Sequence, residues 1–337
     1  MNAKRNLTDS ARALTEDDLE RGLKQPVAEA IEIPEHFGPV GVLVDDLKVK
    51  RFAFTQDDYG GWYFGESPFG YRIGHAALLA NDLLQLFTLR YAASQVVGLH
   101  TEEELWFERP VRVGEVVRLE GSYTEAFERR GQGCVVLEAD ARDSEGRVLL
   151  RHRGIEIMRT VPGTIAGRSS AETSGGRRVT GEVDESLAAI EVAGALADAV
   201  PGAALVPLAK EITQEQMSVF SRCGEYVRNI HNDLQIARAG GLRVPIVQGQ
   251  QQVCHLAEML TRVFGARWFT GGWLRCKFLR PVDGFEVISV GGVVREVERD
   301  GDDALVKSRR LDPQAGWVAC HGRVGRVPLA RAVSRCF

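Results

Sequence analysis

ELWFERPVRVGEVVRLEGSYTEAFERRGQGCVVLEADARDSEGRVLLRHRGIEIMR, residues 104–159, decides the architecture of this chain. Short runs rich in β-branched residues alternate with polar positions and are cut by turn signals at Arg130-Gly131 and Ser144-Glu145-Gly146. Alternation of that length reads as antiparallel strands joined by hairpins. The same grammar returns in RCKFLRPVDGFEVISVGGVVREVERDGDDALVKSRRLDPQAGWVACHGRVGRV, residues 275–327, with a turn at Asp300-Gly301-Asp302. Both stretches carry Phe-x-Arg-Pro near their start, at 107–110 and 278–281. A pattern recurring at long period implies two copies of one unit.

Working upstream, KRFAFTQDDY (50–59) and AKEITQEQMSVF (209–220) each run from apolar residues into Thr-Gln, at Thr55 and Thr213. Thr213 with Gln216 fits a capping box, in which hydroxyl and amide satisfy free N–H groups at a helix start. An apolar helix follows a glycine in each copy: GHAALLANDLLQLFTLRYAASQVV (74–97) and GQQQVCHLAEMLTRVF (249–264). Their apolar residues recur at helical spacing around enough of the circumference to predict burial. Each unit is therefore a strand, a short helix, a long buried helix and a run of antiparallel strands, an α+β arrangement in which the sheet wraps the helix. Residues 162–186, PGTIAGRSSAETSGGRRVTGEVDES, are rich in Gly, Ser and Thr and read as a linker. SLAAIEVAGALADAV (186–200) is a candidate helix bridging to the second unit.

Composition excludes several classes. The 337 residues suit two domains of about 150. With 44% apolar and 26% charged residues and a net charge of -4, the chain has no basic stripe pointing to nucleic acid. The polar N-terminal segment lacks the apolar core of a secretory signal, and no stretch reaches membrane-span length, so a cytoplasmic protein off the membrane is expected. Six cysteines without a C-x-x-C pair argue against a disulfide framework or structural zinc and predict reduced, mostly buried thiols. Neither a GxGxxG nor a P-loop is present, and the seven histidines show no metal-ligand spacing. Chemistry without a cofactor or metal is expected.

Spacing singles out one stretch, GEYVRNIHND at 224–233. Taken from Thr55 to Gly74 the first copy spans 19 residues, and from Thr213 to Gly249 the second spans 36. This stretch lies in the longer connection. Glu225 and His231 read either as a proton-transfer pair or as polar residues of a surface loop. Asp233 reads as the N-cap of a helix LQIARAGG.

These residues resemble the signature of the MaoC-like, R-specific enoyl-CoA hydratase/dehydratase family in its tandem double-hotdog form. That signature runs Gly-Asp-x-Asn-Pro-x-His, then an aspartate and an alanine, and later Pro-Ile-x-His-Gly opening the central helix. Here Gly224-Glu225, Asn229, His231, Asp233 and Ala237 are followed by Pro245-Ile246-Val247-Gln248-Gly249. The resemblance covers most of residues 40–160 and 205–330. There are three departures: Glu225 replaces the aspartate and stands six residues before His231 rather than five, Asn-Pro is absent, and Gln248 replaces the histidine.

The resemblance implies a double hotdog: an N-terminal unit at 1–161 that is degenerate and shapes the substrate site, a linker at 162–204, and a catalytic unit at 205–337. It implies hydration or dehydration of an acyl thioester carried on CoA or on the phosphopantetheine of an acyl carrier protein. His231 and Glu225 would form the acid/base pair, and the Gly249 N–H would stabilise the enolate oxygen. Arg228 and Asn229 would orient Glu225 or grip the substrate, with Arg228 equally readable as an exposed charge, and Gln248 and the glutamines after Gly249 read as a polar pocket rim or as the helix's exposed start. In the first unit, Trp62 and Tyr63 of DDYGGWYFGESPFG (57–70) read as core packing or as a wall selecting the acyl group, and His75 as a second acid/base candidate. A hotdog thioesterase and a non-catalytic acyl-binding protein are the competing readings. A homodimer is a further expectation.

Overall fold

The structure is a computed structural model, which describes residues 19–162, 184–190, 200–221, 228–278, 280–300, 303–309, 318–324 and 327–328. Glu225, most of the linker and most of the proposed bridging helix lie outside the described residues.

Each unit starts with a strand leading into a capped helix. In the first, β1 (Glu35–Leu43) leads to α1 (Asp46–Gln56), where the Asp45 carboxylate accepts the Lys48 N–H at 2.7 Å. In the second, β6 (Ala204–Glu211) leads to α4 (Gln214–Phe220), where Thr213 and Gln216 form the expected capping box. The cap equivalent to Thr213 is thus Asp45. Thr55 belongs to the last turn of α1, where its hydroxyl donates to the Phe52 carbonyl at 2.8 Å.

The remaining strands of the first unit are β2 (Leu99–Phe107), β3 (Val116–Arg129), β4 (Gln132–Arg142) and β5 (Val148–Ile157). Those of the second are β7 (Gly272–Phe278), β8 (Val287–Asp300), β9 (Asp303–Arg309), β10 (Val318–Val324) and the short β11 (Val327–Pro328). Strand order is β1-β3-β4-β5-β2-β7-β10-β9-β8-β6, with β11 on β9. The order reads the same from either end once copies are matched, as two-fold related halves require. The two sheets expected from the sequence are joined edge to edge by antiparallel pairing of β2 with β7.

Chemistry across that seam is complementary. Trp106 faces Trp273, Leu105 faces Leu274, and Glu102 faces Lys277, whose ammonium lies 3.3 Å from the Glu102 carboxylate. The Trp273 indole N–H donates to Glu104 at 2.8 Å. Pairing every inner edge removes two exposed edges that would otherwise invite aggregation.

The central helices differ. In the second unit α6 (Gly249–Phe264) runs 16 residues and is buried around most of its circumference, Gln250, Gln251, Gln252, His255 and Glu258 included. These glutamines are buried rather than exposed at the helix start, and Gln251 donates to the Thr55 carbonyl of the first unit at 2.9 Å. In the first unit the helix expected over 74–97 is reduced to turns, then α3 (Ala80–Leu84) and a 3-10 turn at Gln85–Leu89. The apolar periodicity was real, since Leu79, Leu83, Leu86 and Phe87 are buried, but packing rather than helix length satisfies it. Cys134, Cys254 and Cys276 are buried and form no disulfide. Among the described residues no helix is long and apolar enough to cross a membrane.

Candidate active site

His231 stands in a loop fixed by its own side chains. The Asn229 carbonyl oxygen of the side chain accepts the His231 N–H at 2.8 Å, and Asn232 accepts the Asn229 N–H at 2.8 Å. Asp233 then caps α5 (Leu234–Ala239), accepting the Gln235 and Ile236 N–H groups at 2.8 and 3.0 Å, as its sequence position suggests. The loop packs on the segment before α6, where the Ile246 N–H donates to the Ile230 carbonyl at 3.2 Å.

The same segment sets the imidazole. Nδ1 of His231 lies 2.8 Å from the Ile246 carbonyl oxygen. A carbonyl cannot donate, so Nδ1 carries the proton and Nε2 keeps its lone pair. Burial pushes the imidazole down to about 4, with the Ile246 carbonyl pulling weakly the other way. His231 is therefore neutral at pH 7 and able to accept a proton.

His231, Asn229, Gln248 and Gly249 all line one cavity of about 540 Å³ between the two units. Its other wall is the first unit's, including Leu84, Phe87, Val96 and His100. A cavity of this size and mixed lining is in the range of small-molecule sites. Gly249 opens α6, so its N–H is among those without an intrahelical acceptor, at the positive end of a long helix. A side chain would be crowded here: a Cβ would stand 3.1 Å from the Phe278 ring and 3.3 Å from Nδ1 of His100. Gln248 reaches across the interface, donating to Asn81 of the first unit at 2.8 Å. It ties the units together more than it forms a rim.

Other residues singled out from the sequence sit elsewhere. Arg228 is exposed, 3.8 Å from the Asp233 carboxylate, and does not line the cavity. Trp62 and Tyr63 are not in the cavity wall either. Tyr63 is buried in the core, its hydroxyl donating to Asp58 at 3.1 Å, and Trp62 packs toward Phe269 at 6.1 Å between ring centres. In DDYGGWYFGESPFG the short helix α2 (Gly61–Phe64) turns Tyr63 inward and leaves Tyr59 and Phe64 exposed. His75 lies in the same core, 3.7 Å from Asp58 and pushed by burial down to about 4.

The sequence reading missed a polar cluster on the first unit's wall. His100 and Glu103 on β2 and His152 and Glu156 on β5 are all buried or nearly so. Glu103 lies 3.0 Å from His100 and 3.1 Å from His152. A Cβ on Gly154 would meet both imidazoles, at 2.9 Å for His152 and 3.3 Å for His100, so this glycine makes room for them. The available signal was an acid run, Glu102-Glu103-Glu104, inside a strand whose partner strand reads Arg-His-Arg-Gly-Ile-Glu.

No family model and no curated protein matches this chain. Solved structures do. A MaoC-like dehydratase superposes with a TM-score of 0.64 at 14% identity, covering 91% of this chain and 99% of that one. A putative MaoC domain dehydratase of Chloroflexus aurantiacus gives 0.62 at 9% identity, with 91% and 99% covered. A conserved hypothetical protein of Mycobacterium tuberculosis, described as having a double hotdog fold, gives 0.57 at 12% identity, with 89% and 98% covered. The mirrored strand order, the joined half-sheets and these superpositions agree: the chain has the double hotdog fold found in MaoC-like dehydratases.

Proposed function

We propose that this chain is a hydratase/dehydratase acting on an acyl thioester, a 2-enoyl or 3-hydroxyacyl group on CoA or on an acyl carrier protein. One observation carries the reading: a neutral histidine with a fixed tautomer and the free N-terminus of a long buried helix line the same cavity. Likeness in fold to structures described as MaoC-like dehydratases supports it.

In hydration, Nε2 of His231 takes a proton from water as the water oxygen bonds to the β-carbon. The double-bond electrons move toward the thioester, and the enolate oxygen is stabilised by the Gly249 N–H. An acid then delivers a proton to the α-carbon, with Glu225 as the candidate by resemblance to the family signature. Dehydration is the reverse. Asn229 holds the His231 backbone and so acts as a positioning residue.

The test is an assay of the purified protein against a panel of 2-enoyl- and 3-hydroxyacyl-CoAs, following the enoyl-thioester absorbance. Turnover that falls by about 10²–10⁴ in His231→Ala is expected. Wild-type turnover of none of the panel, or full activity in that variant, overturns the reading. Release of free CoA thiol from a saturated acyl-CoA would instead mark a thioesterase.

A further inference from the structure

The buried cluster on the first unit's wall has no role in the mechanism above, and it is an unusual thing for a fold to keep. His100 and Glu156 stand directly opposite each other on β2 and β5. Nε2 of His100 lies 2.8 Å from the Glu102 carbonyl and 3.0 Å from the Glu103 carboxylate, so it carries a proton and points away from Gly249. Nδ1 is buried without a hydrogen-bond partner, 3.3 Å from where a Gly249 Cβ would stand. A Glu156 oxygen is likewise buried and unpartnered. Unsatisfied buried polar groups destabilise a fold and concentrate where function retains them.

We infer that His100, held by Glu103, is a second hydrogen-bond donor beside Gly249 for the thioester oxygen, so that each unit contributes one donor to the same charge. This rests on the hydratase/dehydratase reading of the cavity. The donor is the imidazolium, whose Nδ1–H becomes available only when the ring is charged. Charges around the ring favour that state. Burial, the largest single influence, pushes His100 down, but Glu103, Glu156 and the Glu102 carbonyl together outweigh it and the net shift is upward. Burial pushes Glu103 up, and His152 and His100 outweigh that and hold it below its usual value.

Of the charged groups described on the neighbouring strands, only His152 approaches the Glu103 carboxylate. Glu102 is engaged by Arg129 of β3 at 2.9 Å and by Lys277 and Arg275 of β7 at 3.3 and 3.6 Å. From β5, His152 shares Glu103, and burial pushes Glu156 up toward its neutral form. A charged donor is stronger than a neutral one, most of all in a site from which water is excluded.

The experiment compares wild type with His100→Phe, His100→Gln and Glu103→Gln in the full chain. Each is assayed for turnover of the enoyl-CoA panel and for binding of acetoacetyl-CoA, a 3-oxoacyl thioester whose enolate absorbs in the near ultraviolet. His100→Phe keeps a ring against Phe278, now 4.8 Å from the His100 ring centre, and removes the donor. The expected result is a loss in kcat of about 10²–10³ with KM little changed, and loss of the bound-enolate band. His100→Gln, a neutral donor, recovers part of both. Glu103→Gln moves the basic limb of the kcat/KM profile to lower pH, because an imidazolium without its carboxylate loses its proton more readily.

A structural role would lower the melting temperature in these variants and leave kcat and the enolate band unchanged, which overturns the assignment. Should His100→Phe not fold, wild-type kcat and enolisation in both His100→Gln and Glu103→Gln overturn it equally. Turnover of no enoyl thioester by wild type, with an enolate band that disappears in His100→Phe, removes the hydratase reading and leaves the donor standing. Neither turnover nor enolisation in wild type removes both.

Discussion

The two ends of this pseudo-symmetric molecule have diverged into an open site and a plugged one. An isolated bridge joins Ile73 to Arg112 in the first unit and Ile246 to Asp283 in the second, and each following N–H donates one strand over, Gly74 to Val111 and Val247 to Val282. His75 is therefore the counterpart of Gln248, and Ala76 that of Gly249. Where the second unit keeps a cavity, the first is packed with Asp58, Tyr63 and His75 and closed by a lysine from the other unit. Lys210 of β6 donates to the Gln56 and Asp57 carbonyls at 3.0 and 2.9 Å and lies 2.7 Å from Glu258 of α6. The same kinds of residue appear at both ends, so side-chain type does not separate them. What does is whether space remains at the start of the central helix.

That contrast can be broken by substitution. The largest effect expected is His231→Ala, about 10²–10⁴ in kcat, against none for His75→Ala beyond its stability cost; steady-state kinetics on the panel decide. Next, Lys210→Met removes one of the two cationic partners of Glu258, leaving Arg262 at 2.6 Å, and should lower stability by about 1–3 kcal/mol, read by denaturant melting, while the cavity residues stay in place. Gly249→Ala crowds Phe278 and His100 and should reduce kcat/KM by about 10–100-fold, whereas Ala76→Gly, its counterpart, leaves turnover unchanged. The acid limb of the kcat/KM profile should fall near pH 4, because His231 is neutral above that and loses its basicity only when protonated below it. Smallest is a matched pair of cap deletions, Asp45→Ala and Thr213→Ala. Each should cost about 1 kcal/mol and shift the melting temperature by a few degrees without touching turnover.

The strands, the repeat and the caps were legible because they follow from local alternation and local hydrogen bonding. Thr213, Gln216 and Asp233 do in the structure what their positions imply. Matching the copies was harder. Thr55-Gln56 imitates Thr213-Gln214 in sequence, yet it ends α1 rather than starting it. Measured from the true caps to the equivalent helix starts, Asp45 to Ala76 is 31 residues and Thr213 to Gly249 is 36, so the second copy is longer by five residues rather than 17. His231 and Gly249 were within reach because they stand on one short segment of chain. The His100–Glu103 cluster was not, since it forms only when β2, β5 and the start of α6 meet from distant parts of the sequence. For Trp62 and Tyr63 the sequence left two readings open for the converse reason: proximity to the helix start along the chain does not say which way a side chain turns.

The seam between β2 and β7 has an evolutionary consequence. Had these two halves been separate identical subunits, every substitution would appear at both ends, and filling one site would fill its twin. Joined in one chain, they meet at the high effective concentration of a tethered pair while each half mutates independently. A lysine could close one pocket, and a histidine could be recruited into the wall of the other, with neither change imposed on the opposite half.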